Sequence, residues 1–340
     1  RPPRYTLFPY TTLFRSAMLR EDTLWAKKGY IQAFEQFVLN DSRMIVKSDS
    51  SEQIRLNETN AQIEIYGTDF NYVLKDGIWV SFNVAGHEML TQELKPDYYR
   101  ALTDNDIDAF NLFPRFLKYA PRFKWKKANP SQQASEVKWS RNDNGIEIIV
   151  VWKAYGIKHA STQYTIQNDG TIEVLHKAIS KRMPFLKVAM SLGLSKDFDH
   201  VTWLGRGFEE NYSDRKTGSK LGLYEASIRE LQHPYMRPQE NGHRCDTRFL
   251  KIQDHRNNSV VIDSIDGDFG FNIYPYTTEY LSNATHRHQL SDQELRIVSI
   301  DGAMSGVGGD LPGMISLREP YILHPRKEYK VHFKLRFNIK

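Results

Sequence analysis

The last twelve residues of the chain, 329–340, alternate strictly between apolar and polar side chains. The apolar positions are Tyr329, Val331, Phe333, Leu335, Phe337 and Ile339, and the polar ones are Lys330, His332, Lys334, Arg336, Asn338 and Lys340. A period of two is that of a β-strand with one buried face and one face in water. The chain must therefore build at least one two-faced sheet.

Other segments carry the same signature. Thr162–Ile166 and Thr171–His176 flank Asn168-Asp169-Gly170, whose residue types tolerate positive φ, which predicts a β-hairpin. Further predicted strands are Ala61–Tyr66, Ile146–Trp152, Leu186–Leu194, Val260–Ser264 and Leu295–Ile300. Helical signals are confined to Tyr224–Leu231 and to Thr277–Ala284, where Thr277 is a good N-cap. The pattern predicts an all-β fold, a large antiparallel sandwich.

Composition narrows the class of protein further. No run approaches the roughly 18 apolar residues of a membrane span, so no membrane partner is predicted. The single cysteine, Cys245, excludes an internal disulfide and favours a small buried thiol over a nucleophile. Arg1, Arg4 and Arg15 contribute three of the five net positive charges, and no acidic residue precedes position 17. Residues 17–340 therefore have a net charge close to zero, so we expect no nucleic-acid partner.

The first sixteen residues differ in character from the rest. Thr6–Ser16 resembles a translated sequencing adapter, and the preceding residues fit the upstream part of that adapter except at Tyr5. The stretch lacks the apolar core and cleavage site of a signal peptide. We therefore predict that residues 1–16 form an artefactual disordered tail and that the natural start of the protein is missing.

Four motifs follow one another along the chain. They are Trp25-Ala-Lys-Lys-Gly-Tyr-Ile-Gln-Ala-Phe-Glu-Gln-Phe37; Tyr99-Arg-Ala-Leu-Thr-Asp-Asn-Asp106; Leu204-Gly-Arg-Gly-Phe-Glu-Glu-Asn-Tyr-Ser-Asp-Arg-Lys216 with Pro238-Gln-Glu-Asn-Gly-His-Arg244; and His286-Arg-His288 with Asp301 and Gly306-Val-Gly-Gly-Asp310. In this order they resemble the C-terminal region of the family 2 β-galactosidases of the LacZ type, over nearly all of residues 17–340.

The resemblance implies a domain organisation. Residues 17–40 are expected to be the remnant of a preceding immunoglobulin-like β-sandwich domain. Residues 41–340 are expected to form the family's C-terminal domain, an antiparallel β-supersandwich similar to galactose mutarotase. Further partners that the resemblance implies are the rest of the β-galactosidase chain and other copies in a homo-oligomer.

The resemblance also implies an activity, the retaining hydrolysis of terminal β-D-galactosides such as lactose. In the family the two catalytic glutamates lie in an upstream TIM barrel, and this chain lacks the βα alternation of a barrel. We therefore assign no catalytic residue and expect the fragment alone to be inactive. It should hold no cofactor or metal, whereas the parent enzyme is expected to use Mg²⁺ and a monovalent cation at the barrel.

Carbohydrate contacts are expected from the polar motif residues. The candidates are Asp108, Phe110, Arg206, Glu210, Asn211, Glu240, Asn241, Arg244 and Asp310. The Trp that stacks on the sugar in many members of the family has no counterpart after Asp310, where the sequence reads Leu-Pro-Gly-Met. Adjacent Glu209 and Glu210 would face opposite ways in a strand, so structural contacts with arginines and loop amides are favoured over catalysis.

Two other functions stay open. A stand-alone carbohydrate-binding module would hold a sugar in a groove of these same residues without cleaving it. An aldose epimerase on the same fold would need a carboxylate opposite His243. Asp104-Asn105-Asp106 offers oxygen ligands for a metal, but three short polar residues are more typical of a turn that bonds its own backbone.

Overall fold

The computed structural model describes residues 12–38, 53–60, 62–107, 124–143, 145–309 and 317–340. Within them the strands form three sheets, and every strand pair is antiparallel. Two large sheets hold nearly all the strands, and a separate two-stranded sheet lies near the N-terminus. The predicted all-β class, a large antiparallel β-supersandwich, is confirmed.

The first large sheet has nine strands. From edge to edge it contains β15 (Lys220–Ser227), β14 (His200–Gly207), β17 (Phe249–Gln253), β18 (Ser259–Ser264), β21 (Glu328–Asn338), β12 (Ile172–Ser180), β11 (Ile157–Gln167), β10 (Gly145–Lys153) and β9 (Gln133–Asn142). Consecutive strands such as β9 to β12 are joined by hairpins, which explains why local sequence signals were strong here.

The second large sheet has ten strands. Its order is β16 (Arg244–Thr247), β19 (Phe269–Tyr274), β20 (Leu295–Met304), β13 (Lys187–Ser195), β8 (Gln92–Asp97), β6 (Ile78–Val84), β5 (Phe70–Lys75), β4 (Gln62–Tyr66) and β3 (Arg55–Thr59), with β7 (His87–Glu88) paired to β6. The central strands come from distant parts of the chain, so this sheet brings residues near positions 97, 187, 270 and 301 together.

The core lies between the two sheets because strands on both present alternate apolar residues inward. In β21 the buried residues are Val331, Phe333 and Leu335, as the alternation predicts. The predicted hairpin is also present, with Ile166 opposite Ile172 and with Gly170 at a φ of +81°. Aromatic side chains fill much of the interior, which agrees with their preference for pleated, half-buried surfaces.

Helices in the described residues are short. They are α1 (Asp104–Ile107), α2 (Ile228–Leu231) and α3 (Thr278–Asn283), with 3₁₀ turns at Trp125–Lys127, Asn129–Ser131, Arg287–Gln289 and Glu319–Tyr321. None of them has the length and apolar character that a membrane span requires. The hydroxyl of Thr277 caps α3 as predicted. The helix predicted over Tyr224–Leu231 is wrong in its first half, because Tyr224 to Ser227 extend β15.

The N-terminal residues form a small sheet of β1 (Thr12–Met18) and β2 (Ile31–Val38). Residues 12–16 were assigned to a disordered tail, and that prediction is wrong for them because each pairs with a residue of β2. Residues 1–11 lie outside the described part of the chain. The boundaries at 16/17 and 40/41, and the immunoglobulin-like origin of residues 17–40, stay predictions.

The side chain of Gln36 attaches this hairpin to the free edge of the nine-stranded sheet. Its Nε2 donates to the carbonyl oxygen of Leu221 at 2.9 Å, and its Oε1 accepts from the Leu221 N–H at 2.7 Å. Lys220 Nζ lies 4.3 Å from the centroid of the Phe34 ring. The amide therefore satisfies edge-strand groups that would otherwise be open to pairing with another chain.

We expect Gln36→Ala to release this edge. The loss of two hydrogen bonds, about 1 kcal/mol each, should speed amide hydrogen exchange at Leu221 roughly 5- to 30-fold. Gln32→Ala, on the same strand and exposed, is the matched control and should leave that amide unchanged. Equal exchange rates in the two variants would show that Gln36 does not hold the edge.

Candidate functional site

Four loop segments meet at one end of the ten-stranded sheet. We call this surface the loop face, and it comprises residues 98–107, 208–219, 232–243 and 305–309. Asp104 and Gln239 bond reciprocally: the Asp104 N–H donates to Oε1, and Nε2 donates to the Asp104 carboxylate, both at 3.0 Å. Asn105 Nδ2 donates to the Val307 carbonyl at 2.9 Å. The segments are thus linked to one another as well as to the sheet.

Further bonds complete the connection. The Asp214 carboxylate accepts from the N–H groups of Val307, at 3.2 Å, and Gly308, at 2.7 Å. Arg237 Nη1 donates to Asp104 Oδ1 at 2.5 Å. Two backbone amides on one carboxylate form a charge-assisted anchor, so the loop that carries Gly308 is held against the loop that carries Asp214.

Asp106 is the buried anchor of the first segment. Its carboxylate accepts from Arg100 Nη1 at 2.5 Å and from the N–H of Thr103 at 3.0 Å. Both charged side chains are almost completely buried. Burial disfavours the guanidinium, but the Asp106 carboxylate outweighs that effect and raises the pKa of Arg100. The Asp-Asn-Asp turn is therefore occupied by internal hydrogen bonds and two ion pairs, Arg100–Asp106 and Arg237–Asp104.

Beneath the loops, charged residues cross the outer face of the ten-stranded sheet. Val298 and Ile300 of β20 point into the core, so Asp301 points the opposite way. Lys187 Nζ lies 2.6 Å from Asp97 Oδ2, 3.8 Å from Asp301 Oδ1 and 2.8 Å from the Ser299 hydroxyl. Two buried carboxylates, one on each strand that flanks β13, thereby share one buried lysine.

The cluster continues from Asp301 to the loops. His243 Nε2 lies 3.3 Å from Asp301 Oδ2, and the imidazole stacks on Tyr212. Burial alone would raise the pKa of Asp301, but Lys187 and His243 outweigh it and lower that pKa. Burial alone would lower the pKa of Lys187, but Asp97 and Asp301 raise it. The signs of these shifts indicate that the charged forms stabilise one another in the folded protein.

Glu240 holds the next loop to the sheet. Its Oε1 accepts from Asn272 Nδ2 at 2.7 Å, and Tyr212 OH lies 3.5 Å away. Burial raises the pKa of Glu240, although Arg100 and Lys187 act in the opposite direction. The same Asn272 amide donates to the Asn241 carbonyl at 2.7 Å, so one strand residue fixes two consecutive loop residues.

Three of the predicted carbohydrate contacts, Asp108, Phe110 and Asp310, lie outside the described residues. Of the other six, Asn211, Glu240, Asn241 and Arg244 are buried. Arg244 donates to the carbonyls of Leu231, Gly242 and Phe208 at 2.8, 2.5 and 2.9 Å. These side chains already have protein partners, which supports a structural role. A sugar contact for them stays a prediction.

Glu210 and Arg206 lie nearer the surface. Glu210 accepts from Arg215 Nη2 at 2.5 Å and from the Gly242 N–H at 2.7 Å. Arg206 donates from Nε to Asp246 at 2.5 Å. The glutamate therefore contacts an arginine and a loop amide, as favoured from the sequence, whereas Arg206 belongs to a separate ion pair away from Glu240.

Sequence reasoning missed the buried charges on the sheet. Lys187 lies in the predicted strand Leu186–Leu194, and Asp97 belongs to none of the four motifs. A lone lysine in such a strand was the available signal, since an unpaired buried ammonium is very costly. Its two partners are remote in sequence, so only strand pairing could identify them.

The arrangement favours rigidity over chemistry. Glycoside hydrolysis needs two carboxyl groups flanking a sugar, about 5–5.5 Å apart in retaining enzymes. Here Glu210, Glu240, Asp301 and Asp106 each have internal partners. The buried network positions the loop face, whose outer edge carries Met236 with 93% of its surface exposed.

Comparison with known proteins places this geometry in a family. The family model described as "Beta galactosidase small chain" matches residues 66–335. The β-galactosidase of Priestia megaterium is 31% identical over 328 residues, which is 94% of this chain and 31% of that protein. The β-galactosidase of Halalkalibacterium halodurans is 28% identical over 324 residues, covering 93% and 32%. The chain thus spans about a third of the length of these relatives.

Among solved structures, a galactose mutarotase-like protein from Lactobacillus casei is similar at 10% identity with a TM-score of 0.45, covering 82% of this chain and all of that one. The sequence match to the family model is the stronger finding, since it extends over most of both large sheets and over the loop face. The chain belongs to the β-galactosidase small-chain family.

Proposed function

We propose that this chain is the C-terminal part of a retaining β-galactosidase that hydrolyses terminal β-D-galactosides, lactose among them. In this proposal the loop face lies against a TIM barrel that carries both catalytic glutamates, and it completes the mouth of the active site. The observation that carries the proposal is a rigid loop face, held by buried ion pairs, on a chain of the small-chain family.

The exposed edge of the loop face supports this assignment. Met236 is 93% exposed, although it lies between Tyr235 and Arg237, which are bonded to Glu210 and Asp104. Methionine and arginine are enriched where proteins contact one another. In this proposal Met236 lies in the contact with the barrel.

The metals of such an enzyme belong, in this proposal, to the barrel. The part of the chain that the structure describes contains no group of three or more His, Cys, Asp or Glu side chains placed to share an ion. We assign no metal ligand among the residues that the structure describes. Its contribution is positional, through the loops that it presents.

The alternative of a stand-alone binding module is less well supported. It requires a groove formed by residues such as Asn211, Glu240 and Arg244, whose side chains are buried and bonded internally. Direct affinity of these residues for galactosides, lost on their substitution, would restore it.

The isolated chain should not hydrolyse nitrophenyl β-galactoside. A longer β-galactosidase that contains it should lose turnover when residues 41–340 are deleted. Hydrolysis that follows the isolated chain through purification at constant specific activity would contradict the proposal. So would a deletion that changes neither turnover nor melting temperature.

A sharper test is Met236→Asp in the longer enzyme. A charge buried at a domain contact should lower kcat/KM about tenfold, which is 1.4 kcal/mol, while the melting temperature of the isolated chain stays unchanged. Val80→Asp, at a 40% exposed position on β6, is the matched control. Equal kinetics in the two variants would argue against a contact at the loop face.

A further inference from the structure

Positive charges gather at one end of the nine-stranded sheet. Lys124, Lys126 and Lys127 lie at the first of the 3₁₀ turns that precede β9. Lys153 is the last residue of β10, and Lys158 is the second residue of β11. All five residues are exposed. The turn between β10 and β11 therefore presents a lysine on each of its sides.

Four more cations lie at the same end of the sheet. Lys181 and Arg182 follow β12, whereas Arg326 and Lys327 precede β21, the strand that pairs with β12. These four residues are also exposed. The nine cations exceed the formal net charge of the whole chain, which is +5, so the rest of the chain has a net negative charge. The cluster is thus a local feature of the surface and does not follow from the overall composition.

Backbone and ring contacts hold these segments side by side. The Lys181 N–H donates to the Gly156 carbonyl at 2.8 Å, and the Arg326 N–H donates to the carbonyl of the last residue of β12 at 3.2 Å. Lys127 Nζ lies 6.0 Å from the centroid of the Tyr155 ring. We call this surface the basic end, and it comprises residues 124–127, 153–158, 181–182 and 326–327.

The cations of the basic end have no acidic partners within the described part of the chain. No carboxylate there lies within 4.0 Å of any of the nine. At the border, Glu328 is exposed, and Glu319 contacts His324 at 2.9 Å. Like charges gathered without counterions repel one another and lower the stability of the folded chain. A partner of opposite charge would remove this repulsion.

The chemistry of the basic end favours an acidic protein surface over a nucleic acid. Seven of its nine cations are lysines, which act as hydrated point charges and lack the planar fork of arginine. Among its described residues, Tyr155 is the one exposed aromatic ring, whereas single strands of nucleic acid stack on several such rings. The cations lie on short turns, and no described helix projects from them to enter the groove of a duplex.

The basic end adjoins the loop face. Tyr98, the first residue of the loop face, donates its N–H to Asn129 Oδ1 at 3.0 Å, and Asn129 Nδ2 donates to Asp97 Oδ1 at 2.6 Å. Lys126 Nζ donates to Asn283 Oδ1, at the end of α3, at 3.0 Å. A protein seated on the loop face would therefore extend over the basic end. The chain covers 31% and 32% of the two relatives compared above, so the greater part of such a protein lies outside it.

We propose that the basic end docks on an acidic surface of the remaining part of a longer β-galactosidase. This inference rests on the proposed function, which places the loop face against that part. It adds the chemistry of the contact, a surface rich in Asp and Glu beside the mouth of the active site. Attraction between the two surfaces weakens as salt rises, because exposed charges are screened.

The test compares amide hydrogen exchange at residues 126–131 in the longer protein and in the isolated 340-residue chain. At about 20 mM NaCl we expect exchange at least tenfold slower in the longer protein, and at about 0.5 M NaCl most of this protection should disappear. Equal exchange in the two proteins at low salt, or protection that salt does not change, would overturn the proposal.

Charge reversal provides the second arm of the test. Lys158→Glu combined with Arg182→Glu should reduce the added protection at residues 126–131 to less than threefold. Arg256→Glu combined with Lys340→Glu is the matched control, because both residues are exposed at the opposite end of β18 and β21. Neither pair should change the melting temperature of the isolated chain by more than about 2 °C. Equal protection in the two double variants would contradict docking at the basic end.

Residues 234–238 separate this inference from the proposed function. Protection of these residues in the longer protein, without protection at residues 126–131, would overturn docking at the basic end and leave the proposed function intact. Protection at neither segment would contradict both.

A single-stranded oligonucleotide is the probe for the other class of partner. We expect no binding to the isolated chain at about 0.15 M salt. Binding that the Lys158→Glu and Arg182→Glu pair abolishes, and that the control pair does not, would assign the basic end to nucleic acid and overturn the proposal.

Discussion

Replacing Lys187 by methionine is expected to lower the free energy of unfolding by about 3–5 kcal/mol, as measured by urea titration. The ammonium is 2.6 Å from Asp97 and 3.8 Å from Asp301, and the three side chains are between 1% and 8% exposed. Methionine fills a similar volume but leaves two buried carboxylates without their shared cation. The loss of stability arises from these uncompensated charges, because in the intact cluster the attraction between the ammonium and the carboxylates offsets the desolvation of all three groups.

Lys196→Met is the matched control, because Lys187 is the first residue of β13 and Lys196 comes directly after its last residue. Its ion pair with Glu294 is 2.5 Å long, but the two side chains are 49% and 82% exposed. Exposed pairs contribute little to stability because water screens them, so this variant should unfold nearly as the unmodified chain does. Similar losses in the two variants would mean that the buried cluster has no special role in stability.

The second large effect is expected on acidification, through His176. The imidazole is fully buried between Tyr98 OH, at 3.1 Å, and Thr162 Oγ1, at 2.8 Å. Burial lowers its pKa from 6.5 to about 3. Below pH 6.5 the imidazole binds a proton in the unfolded chain but stays neutral in the folded chain. The free energy of unfolding therefore decreases as the pH falls from 6.5 towards the folded-state pKa. The loss from this group should reach about 2 kcal/mol at pH 5.

His176→Gln removes this titration while keeping a side chain that can bond to Thr162. The difference in unfolding free energy between pH 7 and pH 5 should therefore be smaller in the variant by about 2 kcal/mol. His200→Gln, at an exposed position, should leave the pH dependence as it is. Parallel pH profiles for the unmodified chain and His176→Gln would show that this histidine does not set the acid sensitivity.

The elements that were predictable from sequence are those with local causes. The alternation in residues 329–340, the Asn-Asp-Gly hairpin and the Thr277 cap each depend on neighbours within a few residues. The order of the four motifs likewise indicated the family, because that order can be read from the sequence without knowing any contact. These features required no information about strands from distant parts of the chain.

The rest depends on contacts between distant residues. Tyr224 extends a strand because β14 pairs with it along its length, and this pairing overrides a local helical signal. Residues 12–16 are ordered through β2, whatever their origin. Glu240 looked like a groove residue, yet its side chain is buried and accepts a hydrogen bond from Asn272. A polar residue in a motif can thus hold a loop as readily as it can contact a ligand.

The buried cluster connects stability with the proposed function. It is joined to residues 232–243 through His243, and Glu240 holds the same loop to Asn272 of β19. Within residues 98–107, Asp106 holds Arg100 and Thr103. A surface that must fit another domain gains from such rigidity, because less flexibility is lost on contact. The hydrolysis itself would then require only that these loops keep their shape.

The most direct test of this account is hydrogen exchange compared between the isolated chain and a full-length β-galactosidase that carries it. The account predicts strong added protection in residues 104–107, 234–238 and 305–309 of the longer protein, with little change along β9 at the far edge of the nine-stranded sheet. Equal exchange of the loop face in the two proteins, or protection confined to β9, would contradict it.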